Sequence, residues 1–397
     1  MISERMSRIS ASPTLKVLLE ADTLRRKGID VVDLGAGEPD FPTPESANAA
    51  GRRAIDEGFT KYTPAAGIAE LKQAICQRYA ADYGVAYTEP ETIVTAGGKQ
   101  ALFNVAFALF NPGDEVITHA PYWPTLTEQV RLTDATPVIV QTRCEDGFAI
   151  HAGAIVEAIT PRTKAIIINS PCNPTGALIS EDDLAAIADV AARRGIWIVM
   201  DLCYERLIYE KVAHNLPRVL ADRLRDRAVI AGSASKAYAM TGWRCGWVLG
   251  PAPVVAACNA LQSHSTSNVS SITQKAVLAA LTGPQSSVTK MLDEYRVRRD
   301  QLCAWLAEDP RFECQKPGGA FYLFPRITEL LSAGGIRTSA EFAQALLDHA
   351  RVALIAGEAF DAPGYLRLSY ATSLDRLREG TTRILEFARK AAAASAV

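Results

Sequence analysis

The amino-acid sequence predicts an α/β fold in which a mostly parallel sheet has helices on both faces and a smaller α/β domain follows it. Short apolar runs alternate with helical stretches along the chain, and 397 residues exceed the size of one ordinary hydrophobic core. Apolar runs of this kind are typical of strands buried on both faces. The expected strands are centred near Ile93, Val116, Val138, Ile167, Ile198, Val229 and Val248.

Changes in this pattern predict the domain boundaries. The expected strands fall within residues 41–285, which we assign to a large domain, and residues 286–397 would form a small C-terminal domain. Residues 1–40 would be an N-terminal arm that joins the small domain or packs on a partner subunit. A long helix would link the two domains, because apolar residues recur at helical spacing at Val288, Met291, Leu292, Tyr295, Leu302 and Trp305.

Polar residues follow two of the expected strands. The run 164–169 leads into Asn173, and the run 196–200 leads into Asp201 and Tyr204. Ligands of open α/β sheets bind outside the carboxyl ends of the strands, so these side chains are expected to converge on one crevice. Each also has a purely structural interpretation: Asp201 could cap a helix, and the Asn-Pro-Thr-Gly sequence at Asn173 could be only a turn.

The segment 233–244 places a lysine, two serines and an arginine close together. The amine of Lys236 is a nucleophile only when deprotonated, which requires a desolvated setting or a neighbouring cation such as Arg244. The Arg244 guanidinium and the hydroxyls of Ser233 and Ser235 suit a phosphate group. This set fits a lysine that binds an aldehyde cofactor beside its phosphate, although an unrelated surface lysine and arginine would give the same pattern.

A second phosphate contact is predicted after the strand 92–95. Gly98, Lys99 and Gln100 open a helical pattern there, so their backbone N–H groups would lie at a helix N-terminus. A Gly-Gly pair is a weak signal by itself. The sequence lacks the glycine spacings of dinucleotide-binding and P-loop sites, which argues against both.

Taken together and in order, these motifs resemble the class I aminotransferases of pyridoxal phosphate (PLP) fold type I, specifically the bacterial aspartate aminotransferase branch. The resemblance covers nearly the whole chain. Besides the residues above, it rests on Ala36–Phe41, Lys61–Tyr62, Gly97–Leu102, Pro121–Trp123 and Tyr365–Tyr370.

The resemblance implies roles around the cofactor ring. Lys236 would hold PLP covalently, and its freed amine would move a proton between the substrate Cα and the cofactor. Asp201 would face the pyridine nitrogen, and Tyr204 and Asn173 would donate hydrogen bonds to the phenolic oxygen. Trp123 would stack on the ring, although by itself it could be a core residue.

The resemblance also implies phosphate contacts and a dimer. Tyr62 would reach the phosphate of the neighbouring subunit, so a homodimer with shared active sites is expected. The other phosphate ligands would be Gly98, Lys99, Gln100, Ser233, Ser235 and Arg244.

Substrate recognition is implied in the same way. Arg367 would pair with the substrate α-carboxylate, assisted by Gly37 and Asn173. In the aspartate branch the distal carboxylate faces a lysine and hydroxyls, which favours aspartate or glutamate, with prephenate or aromatic partners as further options. The matching residues are Lys99, Ser12 and Thr14. A solvated Lys99 and a mobile arm are the alternative.

Two family features complete the comparison. The bonds Asn173–Pro174 and Ala120–Pro121 are expected to be cis. The sequence departs from the family where Leu202 replaces an acidic residue and where Ala356 replaces a proline, and either change could alter how the small domain closes.

Composition excludes several other classes. A net charge of −2 and a pI near 6.3 give no electrostatic footprint for nucleic acid or anionic lipid. Eight scattered cysteines without Cys-x-x-Cys, and five histidines without a ligand cluster, predict a reduced cytoplasmic protein without a metal site. Residues 1–12 lack an apolar signal-peptide core, and no apolar run reaches membrane-spanning length.

Three classes of function remain. We expect a PLP-dependent aminotransferase that works by a ping-pong mechanism on an amino acid and a 2-oxo acid. The alternative is a specialised PLP enzyme of the same fold: a β-lyase, decarboxylase, oxidase or biosynthetic aminotransferase for a non-standard amino acid. A non-catalytic PLP-binding regulator fits poorly, since no basic helix-turn-helix segment precedes Gly37.

Overall fold

The structure is a computed structural model that describes residues 2–3, 6–7, 9–10, 13–210, 212–331 and 336–394. The strands are β1 (Val32–Asp33), β2 (Thr92–Thr95), β3 (Glu115–Ala120), β4 (Thr136–Gln141), β5 (Thr163–Asn169), β6 (Trp197–Asp201), β7 (Ala228–Ser233), β8 (Gly246–Leu249), β9 (Tyr322–Leu323), β10 (Val352–Ala353), β11 (Ile355–Ala356) and β12 (Leu366–Ser369).

The α-helices alternate with the strands over most of the chain. They are α1 (Pro13–Arg26), α2 (Glu45–Asp56), α3 (Ala69–Tyr83), α4 (Gly98–Leu109), α5 (Thr125–Leu132), α6 (Ala152–Glu157), α7 (Glu181–Arg194), α8 (Leu216–Leu224), α9 (Ala234–Ala237), α10 (Ala252–Ser265), α11 (Ser271–Thr282), α12 (Ser286–Leu306), α13 (Thr328–Leu331), α14 (Ser339–Ala345) and α15 (Leu374–Ala394).

The predicted sheet is confirmed as a seven-stranded sheet with the order β2-β8-β7-β6-β5-β3-β4. Six of its strands run in one direction, and β8 pairs antiparallel with both of its neighbours. The connection from β7 to β8 carries only the four-residue helix α9, which is too short to return the chain for a parallel pairing.

Both faces of this sheet are buried because successive side chains of each strand point to opposite sides. In β5, Ile166 and Ile168 pack into the hydrophobic core on one face, while Ala165 and Ile167 pack into the core on the other. Such a strand needs apolar residues at every position, and this explains the unbroken apolar runs of the sequence.

The C-terminal part of the chain forms separate small sheets. Strands β11, β12 and β9 form an antiparallel sheet, and the predicted long helix is confirmed as α12. The N-terminal segment packs here, because β1 pairs in parallel with β10 and Ala21 of α1 is buried against Leu347 and Ala353. The exact domain boundaries stay a prediction.

The sheet positions the site through the register of its central strands. Asn169 at the end of β5 lies opposite Asp201 at the end of β6, and Ala231 of β7 lies opposite Asp201 on the other side. None of the helices in the described part of the chain is long and apolar enough to cross a membrane.

Candidate active site

A cavity of about 380 Å³ lies at the carboxyl ends of β5, β6 and β7. The predicted site residues that line it are Gly37, Gly98, Lys99, Trp123, Asn173, Asp201, Tyr204, Ser233, Ser235, Lys236, Arg244 and Arg367. Residues from segments far apart in the sequence therefore meet here, as the strand-end argument predicted.

Lys236 lies on α9, directly after β7. The helix is capped by Ser233, whose Oγ accepts a hydrogen bond from the Ser235 backbone N at 3.0 Å. The Lys236 Nζ donates to the backbone O of Gly37. Burial lowers the pKa of the Lys236 amine, which makes the neutral, nucleophilic form more accessible.

Asp201 ends β6 and is buried. Its Oδ1 accepts a hydrogen bond from the Cys203 backbone N at 3.0 Å, and burial raises its pKa to about 6. A buried carboxylate of this kind is stabilised most strongly by a cationic N–H partner, because that partner replaces the favourable interaction with water that burial removes. The next helix, α8, begins only at Leu216, so Asp201 is not a helix cap.

Arg367 is buried at 2% exposure on β12, so it is not an exposed edge-strand residue. Its Nη1 donates to Asn173 Oδ1 at 3.0 Å, and its Nη2 donates to the backbone O of Gly35 at 2.8 Å. Its buried Nε has no hydrogen-bond partner among the described residues. A buried cation with neutral acceptors and one unsatisfied donor is suited to an anionic ligand.

In the opposite wall of the cavity, α4 lies against the segment that follows α9. Gly97 precedes α4 with φ +87°, and a Cβ at this position would lie 2.6 Å from Arg244 Nη2. Only glycine permits this approach, which places the Arg244 guanidinium beside the N-terminus of α4. Arg244 Nη1 donates to the Thr241 backbone O at 2.8 Å.

Trp123 and Lys99 form the rim of the cavity. The Lys99 Nζ lies 5.0 Å from the centroid of the Trp123 ring. Burial, and secondarily the charge of Arg244, lowers the pKa of Lys99. Trp123 packs against one core of the sheet and also lines the cavity, so its structural and functional interpretations are compatible.

The sequence pattern of the family "Aminotransferase class I and II" matches residues 29–384. The chain belongs to this family. It is 43% identical to the aspartate aminotransferase of Geobacillus stearothermophilus, over 97% of this chain and 98% of that protein. It is also 43% identical to the aspartate/prephenate aminotransferase of Cereibacter sphaeroides, again over 97% of this chain and 98% of that protein.

Solved structures agree with these relatives. The structure of Thermus thermophilus aspartate aminotransferase with maleate superposes with a TM-score of 0.92 at 41% identity, covering 98% of this chain and 99% of that one. The aspartate aminotransferase of Rhizobium meliloti gives a TM-score of 0.93 at 38% identity over the same shares. The predicted fold class is confirmed, and the protein is an enzyme that transfers amino groups with PLP as cofactor.

The cavity of this aminotransferase fits PLP chemically. It offers a lysine with a lowered pKa for the aldehyde and a buried carboxyl with a raised pKa for the ring nitrogen. It also offers a helix N-terminus beside an arginine for the phosphate.

Four predicted residues lie away from the cavity or outside the described structure. The Gln100 Oε1 accepts a hydrogen bond from the Ala96 backbone N at 2.6 Å, and its Nε2 donates to the Thr266 Oγ1, so only its backbone N–H remains a candidate for phosphate binding. Tyr62 is 91% exposed and does not line the cavity. Ser12 and the side chain of Thr14 lie outside the described residues. The roles of all four stay predictions.

The two departures from the family pattern also lie off the cavity. Leu202 is buried in the core of the large sheet, where its backbone N donates to the Ala231 O at 2.9 Å. Ala356 pairs with Leu366 between β11 and β12. Their predicted effect on domain closure stays a prediction.

Both predicted cis bonds, Ala120–Pro121 and Asn173–Pro174, are confirmed. A third, Ser170–Pro171, is also cis and was not predicted. Nothing in the local sequence distinguishes this proline from one that follows a trans bond.

Sequence reasoning missed several residues that line the cavity. Asn169 donates from Nδ2 to the Asp201 backbone O at 3.3 Å, and its Oδ1 accepts from the Asn173 backbone N at 2.8 Å. Its place at the end of a buried strand was the available signal. The others are Gly35, Leu102, Cys203, Thr241 and Tyr322.

Proposed function

We propose that this aminotransferase moves the amino group of L-aspartate to a 2-oxo acid such as 2-oxoglutarate by a ping-pong mechanism, with glutamate, prephenate and aromatic compounds as further partners. The observation that carries this proposal is the pair of cationic side chains, Arg367 and Lys99, that line one cavity. A dicarboxylic substrate has one carboxylate for each of them. The names of the relatives support the same substrate.

Arg367 is the proposed site for the α-carboxylate. Its guanidinium is already desolvated, so a carboxylate that displaces neutral acceptors gains a strong charge-assisted pair. Asn173 assists, because the Arg367 Nη1 occupies its Oδ1 and thereby orients its Nδ2 as a donor. We assign the distal carboxylate to Lys99, with Ser12 and Thr14.

Proton transfer is assigned to Lys236. PLP, when bound, withdraws electrons from the bonds of the substrate Cα. The Lys236 amine, with its lowered pKa, would take the proton from that Cα and return it to the cofactor carbon C4′. With the cofactor bound, Asp201 would keep the proton on the ring nitrogen, and Tyr204 and Asn173 would donate to the phenolic oxygen.

Phosphate binding is assigned to the wall formed by α4 and the segment after β7. Backbone N–H groups at a helix N-terminus and a guanidinium together stabilise a dianion without a buried excess of positive charge. The assigned residues are Gly98, Lys99, Gln100, Ser233, Ser235 and Arg244.

We further propose a cytoplasmic homodimer in which Tyr62 completes the phosphate site of the partner subunit. A phenol that is 91% exposed is unusual for a large aromatic side chain, and burial against a second copy would account for it. All eight cysteines are free, which suits a reducing compartment.

The test is a titration followed by visible absorption. The purified holoenzyme should lose the absorbance of the lysine-bound cofactor on addition of L-aspartate and regain it with 2-oxoglutarate. A response only to aromatic, basic or aliphatic amino acids would refute the substrate. Ammonia release without an acceptor would indicate a lyase, and a protein that never acquires visible absorbance would refute the site assignments.

A further inference from the structure

Tyr322 of β9 lies between the two functional halves of the cavity. Its hydroxyl is 2.9 Å from the hydroxyl of Tyr204, and its ring centroid is 4.3 Å from the guanidinium carbon of Arg367. The pairing of β9 with β12 fixes this arrangement, since Tyr322 pairs with Ser369, two residues after Arg367. One buried side chain therefore contacts the residue assigned to the cofactor oxygen and the residue assigned to the substrate carboxylate.

The two hydroxyls share one hydrogen bond, so only one of them donates. Arg367 lies directly over the Tyr322 ring, and its positive charge makes the Tyr322 phenol the more acidic partner and the better donor. If Tyr322 donates, the Tyr204 hydroxyl accepts that hydrogen bond and keeps its own proton free. Because Tyr204 lines the cavity, it can then donate this proton to an acceptor inside the cavity.

We propose that Tyr322 is a positioning residue with two separable functions. Its hydroxyl donates to Tyr204, so that the Tyr204 proton faces the phenolic oxygen of the cofactor. Its ring supports the Arg367 guanidinium in the orientation that binds the α-carboxylate. The inference rests on the proposed function, because it assumes the roles assigned there to Tyr204 and Arg367.

The charged and titratable surroundings of this hydroxyl pair remain unchanged when only the Tyr322 hydroxyl is removed. A change in a pH midpoint between wild type and Tyr322→Phe then reports the hydrogen bond itself. The neighbouring groups come from β6, the turn after it, α9, the segment between α9 and β8, the loop after β1, and β12; they are Asp201, Cys203, Lys236, Arg244, Glu38 and Arg367.

The experiment compares the holoenzyme forms of wild type, Tyr322→Phe and Tyr322→Leu. A pH titration of the visible absorbance gives the midpoint of the bound cofactor, and a titration with maleate gives the Kd of a dicarboxylate. A donor to the phenolic oxygen stabilises its anion and lowers the midpoint. Tyr322→Phe should therefore raise the midpoint by about half a unit to one unit while leaving the maleate Kd within about twofold.

Tyr322→Leu should raise the midpoint similarly and also weaken maleate binding about fivefold, since it removes the ring beneath Arg367. The matched control is Tyr370→Phe, which removes another buried hydroxyl, one that bonds the Ala320 O at 3.5 Å outside the cavity. It should change neither quantity. Thermal unfolding of each variant checks that the fold is kept.

An unchanged midpoint in Tyr322→Phe would overturn the first function. A lowered midpoint would overturn it as well, because it would mean that Tyr204 donates to Tyr322. An equal shift in Tyr370→Phe would assign the effect to packing, and an unchanged maleate Kd in Tyr322→Leu would overturn the second function. Failure of the proposed function is distinguishable, because wild type itself would then lack the visible absorbance or keep it unchanged when L-aspartate is added.

Discussion

The inner and outer ends of the cavity are built in different ways. At the inner end, Asp201 and Ser233 terminate adjacent strands and are buried, and Lys236 follows on α9. At the outer end, Lys99 is exposed, and Tyr62, which lies outside the cavity, is exposed as well. The sheet backbone thus holds the groups assigned to the chemistry, whereas the groups assigned to substrate choice and subunit contact lie on the surface, where a partner chain or ligand can order them.

Two lysines illustrate the difference. Desolvation lowers the pKa of both, although only in part for the exposed Lys99; the Lys236 amine donates to the backbone O of Gly37, whereas Lys99 lies over the face of Trp123. A lysine held against the sheet is suited to covalent and proton-transfer chemistry. A lysine at the rim is suited to binding a carboxylate as a cation. Four predictions test this contrast.

The largest effect is expected for Lys236→Ala at the inner end. The variant should lose turnover by about 10⁴-fold and lose the visible absorbance of covalently bound cofactor, because it removes the side chain that we assign as both nucleophile and proton-transfer group. Steady-state kinetics and absorption spectra measure both, and circular dichroism should show an intact fold. Turnover within tenfold of wild type would exclude the assigned role.

The second prediction concerns Asp201 in the cofactor-free protein. Its pKa of about 6 lies above the ordinary value of 3.8, so the folded chain binds this proton more tightly than the unfolded chain. The stabilising effect is complete at low pH and is lost as pH rises through this window. The free energy of unfolding of wild type minus that of Asp201→Asn should therefore fall by roughly 3 kcal/mol from about pH 4 to about pH 6.

Urea unfolding at several pH values measures this difference. Asp56→Asn, at an exposed position of α2, is the matched control. A difference that is constant with pH, or that rises with it, would mean that Asp201 is not a desolvated carboxyl.

The third prediction is for Lys99→Met at the outer end. Loss of one charge-assisted carboxylate contact of about 2 kcal/mol should lower kcat/KM for aspartate roughly 30-fold. Phenylalanine lacks the distal carboxylate, so its kcat/KM should change little. Lys290→Met, at an exposed position of α12, serves as control. An equal loss for both amino acids would remove Lys99 from distal recognition.

The smallest effect is expected for Tyr62→Phe. The proposed contact of the Tyr62 hydroxyl with the partner subunit's phosphate site predicts that its removal weakens PLP binding about fivefold, corresponding to about 1 kcal/mol. Equilibrium dialysis gives the affinity, and sedimentation gives the oligomeric state. Unchanged affinity, or a wild-type protein that sediments as a monomer, would contradict the shared site. Tyr87→Phe, whose side chain lies outside the cavity, is the control.

Much of the fold was predictable because its signals are local. Strands such as β5 and β6 are continuous apolar runs, and α12 repeats apolar residues over 21 positions. Strands β1, β9, β10 and β11 were not predicted. Each has two residues, which is too short to display a period, and each exists only because a distant segment pairs with it.

The site likewise contains residues that local sequence signals predict and residues that they do not. Asp201 and Lys236 were predictable since they follow buried strands, and the ends of parallel strands meet at one edge of a sheet. Tyr322 was not, because its importance depends on contacts with Tyr204 and Arg367, which are supplied by other strands and turns.

The amino-acid sequence alone determined the order of the strands of the large sheet, the membership of the family and the residue types that a PLP enzyme requires, because runs and motifs of a few residues carry this information. Only the tertiary structure decided which of those groups lose their water and which unpredicted groups join them. It buried Arg367 against Asn173, raised the pKa of Asp201 to about 6, and placed Tyr322 between the two halves of the site. Desolvation and hydrogen bonding depend on atoms brought together from every part of the chain, so no local stretch of sequence contains them.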